Sequence, residues 1–553
     1  MKKSLFLNNL CLFLSLGFVF VVNAQTASMK QWVDNTYESL SQEERLGQLF
    51  VIMVQSQASE KVLAAFEKEV NEYKPGGVIF SLGTPYKQVQ LTNLYQSLSK
   101  VPLIISMDAE WGVAMRLDSV PVYPWNMTLG AVQDLDLIRS IGKDMGEQAK
   151  RLGVHMNFAP VADVNINPMN PIIGNRSFGS DVKGVSARAL ALSQGMNAAG
   201  IMTTAKHFPG HGDTAVDSHK ALPVLPFTKQ RLDSVELYPY KTPLLHGVQG
   251  IMVAHLDVPV LTGVPGLPVS LSKKVTTDLL QKELGFEGLI FTDALNMKGA
   301  SDFSPDGDVA LKAFLAGNDV LVIPNDLGNS VKHMKAALKD GTLTAARLEQ
   351  SVKKILAAKY TLGLSEYRPV VLDGLYDDLN KPEYQETIDS AYEAAATIWT
   401  PDHSAFSPIP KNTRLAYVAF GDDSGQLFKA GLLERGAHAI EVSSLLKNGV
   451  EVLKNYDVIV VGHHRSMSTA YKAHRMTEEE IALLAKINSL QTPLILGIFT
   501  KPYAVLDVPF LNEIPAVFFG YQNALQMGAY AVKVLFGEAR AIGQLPITLS
   551  KQE

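Results

Sequence analysis

Short runs of β-branched and aliphatic residues recur along this chain, and most are apolar throughout rather than alternating. Eight of them lie at residues 47–55, 76–82, 102–108, 154–164, 200–207, 250–257, 288–293 and 318–324. Strands without an alternating polar face are buried on both sides, as in a parallel sheet covered by helices. The stretches between them, such as 137–152 and 273–284, place apolar residues at three-to-four spacing and predict helices. Eight strands alternating with helices over about 320 residues predict a (β/α)8 barrel of TIM type. Its expected extent is residues 27–365.

A second alternating set follows at 415–420, 439–442, 457–463, 493–499 and 516–520. It predicts a smaller open α/β sandwich domain over residues 412–553. Residues 366–411, first irregular and polar and then helical, are expected to be a linker and connecting helix. The second set has no glycine-rich phosphate loop, so no nucleotide is implied. Its one polar cluster, His463-His464-Arg465, closes the third strand and is expected to be an ordinary surface loop.

The beginning of the chain departs from this pattern. Lys2 and Lys3 precede an apolar run over residues 10–22, and Val22-Asn23-Ala24 fits a small-residue cleavage site. The run is shorter than the roughly 20 residues of a membrane span. Residues 1–24 are therefore expected to be a signal peptide, the alternative being a buried N-terminal helix. The expected location is exported, periplasmic or secreted, with no stable membrane insertion after cleavage. The single cysteine, Cys11, would leave with that segment. No disulfide, thiolate metal site or cysteine nucleophile then remains. At 553 residues with a net charge of −5 the chain has room for two cores and lacks a basic footprint for nucleic acid.

Candidate chemistry gathers where a barrel would place it, at the carboxyl ends of the strands. Those ends carry Asp108, Asp163, Lys206 with His207, His255 and Asp293. The fifth strand runs into KHFPGHGDTAVDSHKALP, residues 206–223, which holds three histidines and two aspartates in a stretch broken by Gly and Pro. Metal ligands, acid–base catalysis and a solvated polar loop are the competing readings. A metal site wants ligands on rigid elements, and neither H-E-x-x-H nor a strand-borne H-x-H is present. Acid–base work fits better. An extended backbone puts Asp217 and His219 on one side, so that the carboxylate can fix the imidazole tautomer. Ser218 lacks the G-x-S-x-G setting of a serine nucleophile. Asp293 can act as a nucleophile on an anomeric carbon or, on local sequence alone, cap a helix starting at Ala294.

KHFPGHGDTAVDSHKALP, together with FTDALNM (291–297), GNRSFGSD (174–181) and DAEWGVAMR (108–116), resembles glycoside hydrolase family 3, in particular its bacterial β-N-acetylglucosaminidase branch. The resemblance covers about residues 30–365, and a following α/β sandwich is also a family feature. It implies a retaining exo-β-N-acetylglucosaminidase that uses no metal or cofactor. The substrate would be a glycan or muropeptide with a terminal β-linked GlcNAc. It implies Asp293 as nucleophile, His219 as acid/base with Asp217 as its partner, and Asp108, Arg116, Arg176, Lys206 and His207 as sugar-binding residues. In many relatives, as the resemblance implies, the second domain supplies an acid/base glutamate. Here the candidate His219 already follows the fifth strand, so the barrel is expected to hold all of these groups without help from the second domain. A β-glucosidase, a phosphorylase of the same family and a non-catalytic sugar-binding protein are the rivals. One departure stands out: where the family often has D-Q-E-G-G, this chain has Asp108-Ala109-Glu110-Trp111-Gly112. Trp111 is expected to add bulk near the mouth.

Overall fold

The computed structural model describes residues 26–216, 221–304, 307–471 and 473–549. The expected signal peptide, residues 1–24, and the Asp217–His219 pair lie outside the described residues.

The first domain is the expected barrel. Its strands are β1 (Phe50–Gln55), β2 (Gly77–Ser81), β3 (Ile104–Met107), β4 (Met156–Asn157), β5 (Met202–Phe208), β6 (Gly250–Val253), β7 (Leu289–Thr292) and β8 (Leu321–Val322). They lie in the order β7-β6-β5-β4-β3-β2-β1-β8. Every paired neighbour is parallel. A parallel bridge between Phe291 and Val320 closes the ring, and Thr292 N donates to Val320 O at 3.0 Å. Every residue of β5 is buried, as its unbroken run without an outward polar face requires.

The helices that cover the sheet follow from equally local signals. Asp134 caps helix Leu135–Arg151, accepting from Asp136 N and Leu137 N, while Lys150 and Arg151 occupy its negative end. Its buried residues Ile138, Ile141, Met145 and Ala149 return every three or four positions. They face helix Val182–Ala198, where glycines allow close approach: a Cβ on Gly142 would sit 2.2 Å from Leu192 O, and one on Gly195 2.0 Å from Arg139 O. Among the described residues no helix is long and apolar enough to cross a membrane.

The second domain is a six-stranded sheet of β9 (Thr397–Trp399), β10 (Leu415–Gly421), β11 (His438–Ala439), β12 (Val458–His464), β13 (Leu494–Phe499) and β14 (Ala516–Phe519). Its order is β11-β10-β12-β13-β14-β9, and only β9 runs antiparallel, against β14. Strand β9 lies within residues 366–411, so that segment supplies an edge of the second sheet as well as a connection. His463 and His464 correct the expectation of a surface loop. They are the last residues of β12 and are fully buried. His464 stacks on Phe499 at 4.5 Å and bonds Tyr417 Oη at 2.9 Å and Asn523 Oδ1 at 2.8 Å. Burial lowers its pKa to about 4, which keeps the ring neutral inside the domain.

The two domains share one apolar cluster, which runs from Tyr123 and Ile141 in the barrel to Tyr392, Tyr521 and Leu535. Polar groups pin the contact. Gln522 Oε1 accepts from Trp125 N and Thr128 Oγ1, each at 2.6 Å, and Asn165 Nδ2 donates to Tyr503 Oη at 3.0 Å. Segment 174–181 meets the returning chain: Ser180 N donates to Pro546 O at 2.9 Å. Gly179 has φ +135°, and a Cβ there would lie 2.1 Å from Pro546 O. Gly179→Ala is therefore expected to cost about 1–3 kcal/mol through overpacking. Urea unfolding measures the loss, and an unchanged midpoint would show that the joint yields freely.

Candidate active site

A cavity of about 260 Å³ opens at the carboxyl ends of the barrel strands. Apolar residues from the strands form part of its wall: Met53 of β1, Ile79 of β2, Met252 of β6 and Val322 of β8. The polar part comes from β5, through Lys206 and His207, and from segments that follow the strands. Asp108, Arg116, Arg176, Lys206, His207 and Asp293, scattered through the sequence, all line it. Glu110 and His211 line it as well.

Two carboxylates organise the cations. Lys206 Nζ donates to Asp108 Oδ1 at 2.7 Å and pairs with Glu110 Oε1 at 2.8 Å. Arg116 Nε donates to the Asp108 carbonyl at 3.0 Å, and its Nη2 lies 3.2 Å from Asp108 Oδ2. Arg176 forks onto Glu110, with Nη2 to Oε1 at 2.7 Å and Nε to Oε2 at 2.9 Å. The two acids differ in access: the Asp108 side chain is 25% exposed, whereas that of Glu110 is 1% exposed. Asp108 thus faces the cavity, and Glu110 braces the cations from behind. Burial pushes both carboxyls up, but Lys206 and Arg116 hold Asp108 below the ordinary range. Arg176 and Lys206 hold Glu110 well below it. Lys206 is raised in turn, because Asp108 and Glu110 outweigh its burial.

Asp163 fixes the next layer. Its Oδ2 lies 2.6 Å from His207 Nδ1, and its Oδ1 accepts from His211 N at 2.7 Å and His207 N at 3.2 Å. His207 Nε2 faces Arg176 Nη2 at 3.2 Å. A guanidinium can only donate, so Nε2 accepts and the proton sits on Nδ1, toward Asp163. The Lys206–His207 peptide is cis, and both side chains line the cavity. His211, its pKa lowered to about 4 by burial, bonds Thr214 Oγ1 at 2.8 Å.

Asp293 follows the last residue of β7. Its N donates to Val253 O at 2.9 Å, and its Oδ1 accepts from Ala294 N at 2.8 Å. That bond lies within the loop after β7, and the next helix, Lys298–Ser301, has Met297 at its cap. Asp293 does not cap a helix starting at Ala294. Burial pushes its carboxyl up, yet His207, His255, the Ala294 N–H and Lys206 outweigh that and hold it below the ordinary carboxylate range. An anionic carboxylate in a cavity of this polarity can attack an electrophilic carbon.

Three residues fall differently from expectation. Trp111 does not line the cavity; it is 9% exposed and packs edge-on against Trp125 with centroids 6.2 Å apart. Arg176 has little left for a ligand, since Glu110, His207 and the Ile172 carbonyl take its nitrogens. Tyr471, from the second domain, does line the cavity, so the barrel does not enclose the site alone.

Comparisons with known proteins agree with one another. The family model for the glycosyl hydrolase family 3 N terminal domain matches residues 41–358. A beta-N-acetylglucosaminidase/beta-glucosidase of Cellulomonas fimi is 26% identical over 506 residues, covering 89% of this chain and 87% of that protein. Beta-hexosaminidase LpqI of Mycobacterium tuberculosis is 32% identical over 335 residues, covering 58% of this chain and 83% of its own length. Among solved structures, a glycoside hydrolase family 3 beta-N-acetylglucosaminidase from Paenibacillus sp. str. FPU-7 matches with a TM-score of 0.77 at 28% identity. That match covers 93% of this chain and 99% of the other.

Proposed function

Because the chain belongs to glycosyl hydrolase family 3, we propose that it is an exported, retaining exo-β-N-acetylglucosaminidase. It removes terminal β-linked N-acetylglucosamine, with peptidoglycan fragments as a natural source. The observation that supports this most is the setting of Asp293: an anionic carboxylate facing a cavity ringed by hydrogen-bonding groups that suit sugar hydroxyls. At about 260 Å³ the cavity is below the roughly 300–1,000 Å³ of drug-sized ligand sites. It suits one sugar residue, hence exo action.

In the first step an Asp293 oxygen attacks the anomeric carbon. The bond to the leaving oxygen breaks, and that oxygen takes a proton from His219. A glycosyl ester on Asp293 results. Water, giving its proton to His219, then attacks the same carbon, expels the carboxylate and yields a product of retained β-configuration. Asp217 holds the His219 tautomer. Asp108 accepts from sugar hydroxyls, and Arg116, Lys206 and His207 shape the rest of the ring around them. Asp108, Glu110, Asp163 and Asp293 face three permanent cations, Arg116, Arg176 and Lys206. The residual negative charge favours an oxocarbenium-like transition state. A histidine acid/base, unlike a second carboxylate, has no negative charge to repel the carboxylates of muropeptides.

The deciding experiment compares chromogenic β-N-acetylglucosaminide, β-glucoside and β-xyloside, with the first-formed anomer followed by NMR. The N-acetylglucosaminide is expected to be fastest and the β-anomer to appear first. Preference for the glucoside would overturn the sugar assignment, an initial α-anomer the mechanism, and turnover that requires phosphate the hydrolysis. His219→Ala is expected to lose about 10²–10⁴-fold in turnover, the usual worth of acid–base help. The loss should be larger for basic leaving groups than for acidic ones, and Asp217→Asn should follow the same trend more mildly. An equal loss across leaving groups would assign His219 to binding instead.

A further inference from the structure

We propose that Tyr471, carried by the second domain, contacts the group that departs from the terminal sugar, and that Trp111 is the positioning residue that seats its loop. The proposal rests on the exo-glycosidase reading above. Tyr471 lines the cavity alongside Met115, Arg116 and Arg176. It is 48% exposed, whereas Lys206 is 2% exposed. Tyr471 therefore stands at the rim, and the polar groups that would hold a terminal sugar lie deeper. In an exo enzyme the remainder of the substrate leaves through the mouth, past that rim. An aromatic ring there offers its face to the C–H surface of the next residue.

The loop that carries Tyr471 follows β12 and reaches the barrel through apolar contacts. Ala470, 5% exposed, sits with Trp111 and Trp125 in one small cluster, and Met115 and Met467 pack against it. Asn175 Nδ2 donates to the Ala470 carbonyl at 3.2 Å, one residue before Arg176 of the cavity. The bulk of Trp111 turns away from the cavity toward this loop. A glycine there would leave Ala470 without half of its seat.

Kinetics on N,N′-diacetylchitobiose and methyl β-N-acetylglucosaminide separate the contacts. Tyr471→Ala is expected to raise KM for the disaccharide about five- to tenfold, the range of one aromatic contact. The rise in KM should be smaller on the methyl glycoside, which offers the ring no second sugar to meet. Tyr471→Phe keeps the ring and should raise KM less than Tyr471→Ala. Trp111→Gly should reproduce the Tyr471→Ala pattern. If that variant does not fold, Trp111→Leu, which keeps an apolar seat, should show a smaller rise of the same kind. An unchanged disaccharide KM in Tyr471→Ala, or an equal rise on both substrates, overturns the contact with the leaving group. Wild-type kinetics in a folded Trp111→Gly or Trp111→Leu overturns the positioning role. If the wild type accepts cellobiose and methyl β-glucoside instead, the sugar assignment fails, and the same comparison is read on that pair. Absence of turnover in both series overturns the exo-glycosidase reading and this proposal with it.

Discussion

Asp293→Asn is expected to yield a folded protein whose turnover falls by about 10³-fold or more, equivalent to at least about 4 kcal/mol of barrel-bound transition-state stabilisation. The amide is isosteric and its oxygen can still accept from Ala294 N, so the loop after β7 keeps its local bond. What it loses is the negative charge that forms the glycosyl ester. Neither Asp108 nor Glu110 can substitute, because each is already engaged with two cations. A folded variant that retains more than a tenth of the activity would sink the assignment. A second reading comes from Asp293→Gly with added azide. Azide entering on the face vacated by the carboxylate inverts the centre and yields the α-glycosyl azide. A β-azide, or no rescue of any kind, would speak against Asp293 as the group on that face.

The second large effect concerns stability. Glu110→Gln removes the charge that Arg176 and Lys206 share. Lys206 keeps Asp108, but Arg176 is left as a buried cation without its carboxylate. Breaking a buried pair on one side costs about 3–5 kcal/mol, because the remaining charge stays desolvated. Urea unfolding measures the loss, and the double variant with Arg176→Met is expected to lose less than Glu110→Gln alone. Greater loss in the double variant would show that Arg176 packs the core in its own right. The pH dependence has a definite sign. Glu110 titrates lower in the folded state, so its contribution is complete above the unfolded carboxylate value of about 4.3 and fades as pH falls below it. Wild-type stability should therefore decline on acidification more steeply than that of Glu110→Gln.

Glu110 also marks the boundary of what the sequence made legible. The barrel was readable because its strands are uninterrupted apolar runs whose burial needs no partner to be named. Asp108, Lys206, His207 and Asp293 were readable because they end such runs. Glu110 sits two residues beyond Asp108, in a segment without period, and its importance arises only when Arg176 and Lys206 arrive from distant parts of the chain. Asp163 was visible as a strand-end acid, but its hold on His207 and His211 depends on the bend after β5. In the second domain, His463 and His464 read as loop because histidine is polar. The sheet buries them by giving His464 partners on neighbouring elements, Tyr417 and Asn523. Strand β9 has three residues and borrows its order from β14, so no local pattern announced it. Trp111 stood out as bulk, but the direction of that bulk did not, because its contact with Ala470 spans the two domains; Tyr471 gave no signal for the same reason.

The joint at Gly179 also sets a sequence of events during synthesis. Ser180 N donates to Pro546 O, and Gly130 and Gly179 both lie against Pro546. Segment 174–181, which delivers Arg176 to the cavity, therefore has no completed seat until residue 546 has left the ribosome. Up to that moment the barrel strands can pair, while the cavity wall waits for the far end of the chain. A nascent chain arrested before residue 540 would hold segment 174–181 by its barrel contacts alone, such as Asn126 Nδ2 to the Arg176 carbonyl, and is expected to turn over chromogenic substrate more slowly than the full chain.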